Sequence, residues 1–556
     1  MHRCLKVNEI LGMIMGYVPS GEPTGRATLA ALARTCQVFH ELALDSLWHH
    51  QDDLLNLLRC FPEDAWTFTE APTMSFGWSK EPRMSHFDTT RSLGPEDWIR
   101  FDHYARRIRG LGTQRDYGTW PEFGAWGPDG PSDAKAPEIM GLSASVYVEF
   151  RIRRSTSPLF PSLRQLYWDG WRTDGTNLHF VELLLGRRLQ RLNLSVAEWK
   201  HKRPKECVLS LICALPDSCP ELRELEVSKS YVALTSIARV LPSLRHLRSL
   251  SVSNGSAANF VVLLRSLQAM PVLESLRLCD MWVDMDASDV GLANRGISVA
   301  SLDIEESSPG FVSGLLQILQ PRRARSISLR MRHSGSQAWG GAEPIPLYTK
   351  LHKMFTVLED SCDPSELESI HVECPIRRDN VNVGDADAPE EPCPRWMLEP
   401  LLSFGRLAKV DISLNADLVL DDAALQNMAL SWPRLQVLNL NGGKWIGEGH
   451  PHSTFAAVAH LARHCPDLVG FSLAIDNSCT ASEDKFSSRE TTQHERVKWM
   501  QLGDSALGNK RRLVHLLVNL FPCLEQIRSS AESEDAWNTV MELEKRRQRE
   551  DDKSSL

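Results

Sequence analysis

One short apolar spacing, L-x-x-L-x-L, returns along the chain at a near-constant interval, and that regularity restricts the fold more than any other feature. Its copies at Leu189/Leu192/Leu194, Leu222/Leu225/Val227, Leu247/Leu250/Val252, Leu273/Leu276/Leu278, Val299/Leu302/Ile304 and Ala324/Ile327/Leu329 begin 33, 25, 26, 26 and 25 positions apart. Further copies stand at Leu163, Leu367, Leu407, Leu435, Leu468 and Val497, with a weaker one at Leu524. Just ahead of a copy, an apolar residue or Cys precedes proline seven times: Phe160-Pro161, Cys219-Pro220, Leu241-Pro242, Met270-Pro271, Trp432-Pro433, Cys465-Pro466 and Phe521-Pro522. Proline cannot continue a helix and pushes its predecessor out of the α region, so each pair marks a helix end followed by a strand.

Between copies, segments such as 231–241, 258–267 and 455–462 place apolar residues at helical spacing. A lone strand and helix cannot enclose a core; stacked copies can. The expected fold is therefore α/β, a leucine-rich-repeat solenoid over 159–530 with a parallel sheet on the concave side and helices on the convex side. At 556 residues the chain is also too long for one compact core. Longer steps in the rhythm predict insertions near 332–350 and 375–396. Segment 51–158 reads as linker helices, an irregular Gly/Pro/Trp-rich stretch and a repeat cap, with 104–111 a candidate entry strand. Residues 531–556 read as a charged, solvated tail.

The formal charge of −9 and the lack of a basic block argue against nucleic-acid binding. No apolar run is long enough to span a membrane. Thirteen cysteines without CxxC pairs suit a reducing compartment, cytoplasm or nucleus, which makes Asn193-Leu-Ser195 and Asn254-Gly-Ser256 chance glycosylation triplets. No GxSxG, Walker A, GxGxxG or HExxH motif is present, and Gly503-Asp-Ser-Ala506 reads as a turn after a strand. His49-His50 has no second ligand group near in sequence, and His201, Cys207, Cys213 and Cys219 lack zinc spacing. The expectation is a protein that is not an enzyme and needs no metal or cofactor.

The first fifty residues follow a different pattern. Asn8-Glu-Ile-Leu-Gly-Met-Ile14 reads as one helix with Asn8 as its cap, residues 29–39 as a second and 41–48 as a third. Three short apolar helices bury little alone and imply docking. Asn8-Glu-Ile-Leu-x-x-Ile14, Leu29-Ala-Ala-Leu-Ala-Arg-Thr-Cys-Gln-Val-Phe39 and Leu42-Ala-Leu-Asp-Ser-Leu-Trp48 resemble the F-box, in the form found in fungal families where leucine-rich repeats follow. Val7-Asn8 stands where that pattern has Leu-Pro. The resemblance implies a substrate receptor of an SCF-type cullin-RING ubiquitin ligase, its F-box docking a Skp-family adaptor and through it a cullin, its repeats holding an unknown protein substrate. It assigns Ile10, Leu11, Ile14, Leu29, Leu32, Phe39, Leu47 and Trp48 to the family's apolar positions, divided between its own core and the adaptor. A recognition scaffold independent of ubiquitination is the alternative.

In each strand the apolar pair points into the core, so the residue between faces the concave surface. That column reads Asn193, Glu226, Ser251, Arg277, Asp303, Ser328, His371, Asp411, Asn439, Ser472 and Gln501. The charged and amide members are the expected target contacts, and Glu226, Asp303, Glu305, Glu373 and Asp411 suit a basic patch on the target. Ser249, Ser275, Ser301, Ser326 and Ser369 form a parallel row whose small side chains keep the strands close.

Overall fold

The computed structural model describes residues 7–19, 22–70, 84–112, 139–156, 158–169, 178–195, 204–228, 233–253, 257–270, 272–280, 296–331, 346–374, 392–414, 416–445, 450–477, 493–503, 505–507, 510–529 and 542. The chain divides into two compact units, Met1–Gly255 and Ser256–Leu556. Among the described residues no helix is long and apolar enough to cross a membrane.

The first unit opens with three helices, α1 Asn8–Gly16, α2 Pro23–Thr35 and α3 Gln37–Trp48. Pro23 starts α2 where a missing backbone N–H costs nothing. In α1 the capping position is Val7, so Asn8 is the first helical residue and not the cap. Met15, Leu29, Ala33, Ala43 and Leu44 form the core of these helices, with Leu32, Phe39, Leu47, Trp48 and Tyr104 packed half-buried against it.

The described parts of segment 51–158 carry more regular structure than its composition suggests. Phe61, Trp98, Phe101 and Phe150 form an aromatic cluster whose ring centroids lie 5.0–5.7 Å apart. Trp66–Glu70 pairs antiparallel with Met84–Thr89, which pairs in parallel with Ile139–Leu142. Within the expected entry strand 104–111 only Gly110–Leu111 is a strand; Tyr104 belongs to the helix Trp98–Ala105 and stacks on Trp48 at 4.4 Å. The Gly/Pro/Trp-rich stretch 117–131 lies outside the described residues.

The main sheet of this unit takes His50–Gln51, Gly110–Leu111, Gln165–Asp169, Arg191–Ser195, Glu224–Ser228 and Ser249–Ser253 in chain order, every pair parallel. The second unit continues the same grammar with Ser275–Cys279, Ser301–Ser307, Ser326–Met331, Ser369–Cys374, Lys409–Leu414, Val437–Leu440, Gly470–Ser472, Trp499–Gly503 and Gln526–Ser529, again parallel and in order. The apolar rungs are aligned: Leu276, Leu302, Ile327, Ile370, Val410, Leu438, Phe471, Met500 and Ile527 are register partners in succession, all fully buried. This is the leucine-rich-repeat α/β architecture read from the spacing.

The helices Asp422–Ser431, Phe455–His464 and Lys510–Leu520 each end one residue before Trp432-Pro433, Cys465-Pro466 and Phe521-Pro522. The starts of the first two are fixed locally too: Asp421 accepts from the Ala424 amide at 2.7 Å and Thr454 from the Ala456 amide at 3.2 Å. Most of the expected insertions, 332–345 and 375–391, and the tail apart from Glu542, lie outside the described residues. Regular structure resumes after each insertion, as the helix Leu347–Ser361 in the first case and, in the second, as a 3-10 helix Arg395–Ser403 preceded by the short strand Cys393–Pro394. Gly503 has φ +45°, as a turn after a strand requires, and a Cβ there would sit 2.0 Å from the Gly443 carbonyl oxygen.

Candidate functional site

The helices cover the face of each sheet that carries the rungs, and the residues between rungs stand on the other face. Register places Tyr167, Asn193, Glu226 and Ser251 side by side in the first unit. In the second it aligns Arg277, Asp303, Ser328, His371, Asp411, Asn439, Ser472 and Gln501, residues separated by 25 to 43 positions in sequence. Neighbouring strands lie about 4.8 Å apart, so each side chain meets its register partner. The serine row is likewise real from Ser275 through Ser301 and Ser326 to Ser369.

Two polar networks cross this face in the second unit. Glu305 is the hinge of the first: its side chain is 12% exposed, accepts from Arg277 Nη2 at 2.7 Å and pairs with Arg330. Cys279 Sγ donates to it at 3.3 Å. Arg277 and Arg330 also lie 3.5 and 3.4 Å from Asp303. The Arg277 contact is one of charge, because its Nε makes no aligned hydrogen bond.

The second network runs across three strands. His371 Nδ1 lies 3.0 Å from Asp411 Oδ2 and Nε2 lies 3.8 Å from Glu373. Asn439 Nδ2 donates to Asp411 Oδ1 at 2.6 Å, and the Gly442 amide donates to Asn439 Oδ1 at 2.9 Å. The hydrogen bond to Asp411 raises the His371 pKa above its usual value; burial and Arg330 oppose this, and the charges of Asp411 and Glu373 reinforce it. Burial alone would raise Asp411, but hydrogen bonds from His371 and Asn439 and the His371 charge outweigh it and hold the carboxyl low.

In the first unit Arg191 bridges strands, reaching Glu224 at 2.5 Å and donating to the Tyr167 hydroxyl at 3.1 Å. These groups, Asn193 and Glu226 line a cavity of about 180 Å³. Asn193 needs correction as a target contact: it is 8% exposed, closed in by its neighbours on either strand. Glu226, Arg277, Asp303, His371, Asp411, Asn439 and Gln501 remain half-exposed on the open face. Sequence reasoning missed Arg191, Glu224 and Arg330, which sit two residues before or after the column and so share its face.

The N-terminal module also needs correction. Leu11 and Leu29 are fully buried, so a partner docking on the intact fold cannot touch them. Trp48 is stacked on Tyr104, and Leu32, Phe39 and Leu47 are half-buried on the module's own core. Arg107, almost fully buried, pins α3 by pairing with Glu41 at 2.5 Å and with Asp45. Burial works against the Arg107 charge, and the hydrogen bonds it donates to the Glu41 and Asp45 carboxylates more than restore it. Of the apolar positions assigned to the adaptor, Ile10 is half-buried and only Ile14 is exposed, at 46%. Beside Ile14, Met13 at 61% and Tyr17 at 89% face outward, a pair at i, i+4 that a search for buried apolar stripes passes over.

Among the described residues no group of three or more His, Cys, Asp or Glu could hold a metal ion. No family model and no curated protein matches the sequence. Among solved structures the chain is similar to one in the crystal structure of the Rad7 and Elc1 complex in yeast, with 15% identity and a TM-score of 0.30 over 60% of this chain and 80% of that one. It is also similar to a protein from Bacteroides fragilis, with 13% identity and a TM-score of 0.22 over 55% of this chain and 66% of that one. Neither bears on what this chain binds.

Proposed function

We propose that this chain is a non-catalytic protein-binding scaffold acting as substrate receptor of an SCF-type cullin-RING ubiquitin ligase. The N-terminal module docks a Skp-family adaptor and through it a cullin, and the open face of the sheet holds the target. The observation that carries the reading is the outward apolar end of α1: Met13 and Ile14 in its last turns and Tyr17, the residue that caps it, are exposed together. Water-exposed apolar side chains grouped in this way mark a partner site. The F-box-like residues of α1 to α3 supply the identity of that partner. On the open face the charges are pre-positioned by neighbouring strands, which lowers the ordering cost of meeting a protein ligand.

A second reading, recognition without ubiquitination, is favoured by Val7-Asn8 where the F-box pattern has Leu-Pro. Co-purification of the full chain with a Skp-family adaptor separates the two. Wild type is expected to retain the adaptor and the double variant Met13→Asp/Tyr17→Asp to lose it at least tenfold, with helix content unchanged by circular dichroism. Absence of adaptor from the wild-type eluate overturns the ligase reading in favour of the second; retention by the variant overturns the assigned surface.

A further inference from the structure

The position just before each strand forms a backbone ladder of its own, and in the first unit that ladder is basic. The Arg164 amide donates to the Arg109 carbonyl at 2.8 Å, Gln190 to Arg164 at 2.8 Å, Arg223 to Gln190 at 2.8 Å and Arg248 to Arg223 at 2.7 Å. Four arginines thus stand in one row at the entry edge of the sheet, all with exposed side chains. Arg109, Arg164 and Arg223 have no carboxylate within ion-pair distance among the described residues. In the turns that lead into the same strands, a cavity of about 540 Å³ is lined by Arg154, Arg187 and Arg188 together with Phe160 and Leu163, and by no acidic residue.

This charge is not a demand of the repeat. The equivalent row in the second unit reads Glu274, Ala300, Arg325, Glu368, Ala408, Gln436, Val469, Lys498 and Glu525, joined by the same amide ladder. Its basic members are paired locally, Arg325 with Glu366 at 3.9 Å and Lys498 with Glu525 at 3.7 Å. The fold is therefore satisfied by a mixed row, and the first unit has instead collected one sign of charge on a chain whose net charge is −9. Arg109, Arg164 and Arg223, like charges without a carboxylate partner among the described residues, repel one another, and an anionic partner neutralises them. The field reaches His49, which heads the ladder: burial first, then the charges of Arg109, His50 and Arg164, hold its pKa below the usual value against the opposing charge of Asp45.

We propose that this arginine edge is a second interaction surface, separate from the open face, and that its occupant is an acidic polypeptide segment. The row from Arg109 to Arg248 spans about 19 Å at ~4.8 Å per strand, the reach of about six extended residues. The apolar floor of the adjoining cavity, Phe160 and Leu163, suits a peptide side chain. The exposed Phe, Tyr and Trp among the described residues, Tyr17, Phe68 and Trp396, lie outside the row, so among the described residues it offers no exposed ring on which a nucleic-acid base could stack.

The test uses the full chain and a fluorescein-labelled octaglutamate peptide, read by fluorescence polarisation in low and moderate salt. Saturable binding is expected, weaker at higher salt. It should fall at least tenfold in Arg164→Glu/Arg223→Glu and several-fold in the milder Arg164→Gln/Arg223→Gln, and stay unchanged in Arg325→Glu/Lys498→Glu. Adaptor retention by all these variants should equal wild type, which keeps this surface distinguishable from the one on α1. No peptide binding, equal loss in the Arg325/Lys498 control, or tighter binding of duplex DNA or of phosphatidylserine vesicles than of the peptide would each overturn the proposal.

Discussion

Replacing Glu305 by Ala tests whether the open face is organised by its inter-strand networks. The carboxylate lies at 12% exposure and serves two guanidiniums, Arg277 at 2.7 Å and Arg330, as well as the Cys279 thiol. Cutting a fully buried ion pair by removing one partner costs about 3–5 kcal/mol. Here the orphaned guanidiniums are 39% and 38% exposed and recover water, and both keep Asp303 within 3.5 Å. The expected loss is therefore smaller, about 2 kcal/mol. Urea titration followed by circular dichroism should show a lowered midpoint at unchanged slope, and Glu305→Gln, which keeps one neutral acceptor, should fall between. A double-mutant cycle with Arg277→Ala should return a coupling of about 1 kcal/mol. A Glu305→Ala loss below about 0.5 kcal/mol, the size of an ordinary surface change, would refute the view that this network sets the face.

Two further outcomes rest on the same geometry. His371 has a raised pKa in the fold, so its contribution to stability is full below the unfolded value near ~6.5 and is lost as pH rises through the higher folded value; Asp411, held low, contributes above its unfolded value and loses that as pH falls through the folded one. Asp411→Asn should lower the His371 pKa in an NMR titration, and an unchanged titration curve would show that the pair does not exist in solution. Trp432→Ala removes a fully buried indole whose Nε1 donates to the Leu401 carbonyl at 3.1 Å, and should cost about 3–5 kcal/mol in chemical denaturation; a loss under about 1 kcal/mol would mean that the repeat core is not packed as described.

The repeats were legible because their signals are local. Leu302 and Ile304, or Trp432-Pro433, declare strand and stop within a few residues, and once the period is known the column from Arg277 to Asn439 follows by counting. The small sheet was not legible: Trp66–Glu70 and Ile139–Leu142 are far apart in sequence, and no short-range pattern announces their shared partner Met84–Thr89. Nor could spacing tell that Asn193 would be closed in while Glu226, its register partner, stays half-exposed, since that depends on the size of neighbours on other strands. In the N-terminal module the apolar pattern located the helices but not the division of labour. Leu11 and Ile14 look alike in sequence, and only the tertiary packing of α1 decides that one is buried and the other exposed. The arginine edge escaped for the opposite reason: Arg109, Arg164, Arg223 and Arg248 make no block in the chain, and the repeat alone brings them into one row.

The central claim is that residues a repeat apart stand side by side on one open face, and photo-crosslinking tests it most directly. With benzoylphenylalanine in place of half-exposed Ser328, irradiation of the full chain should give intramolecular adducts in the peptides that contain Asp303 and His371, its register partners on either side. Adducts confined to residues near 328 in sequence, or spread without regard to the repeat, would contradict it.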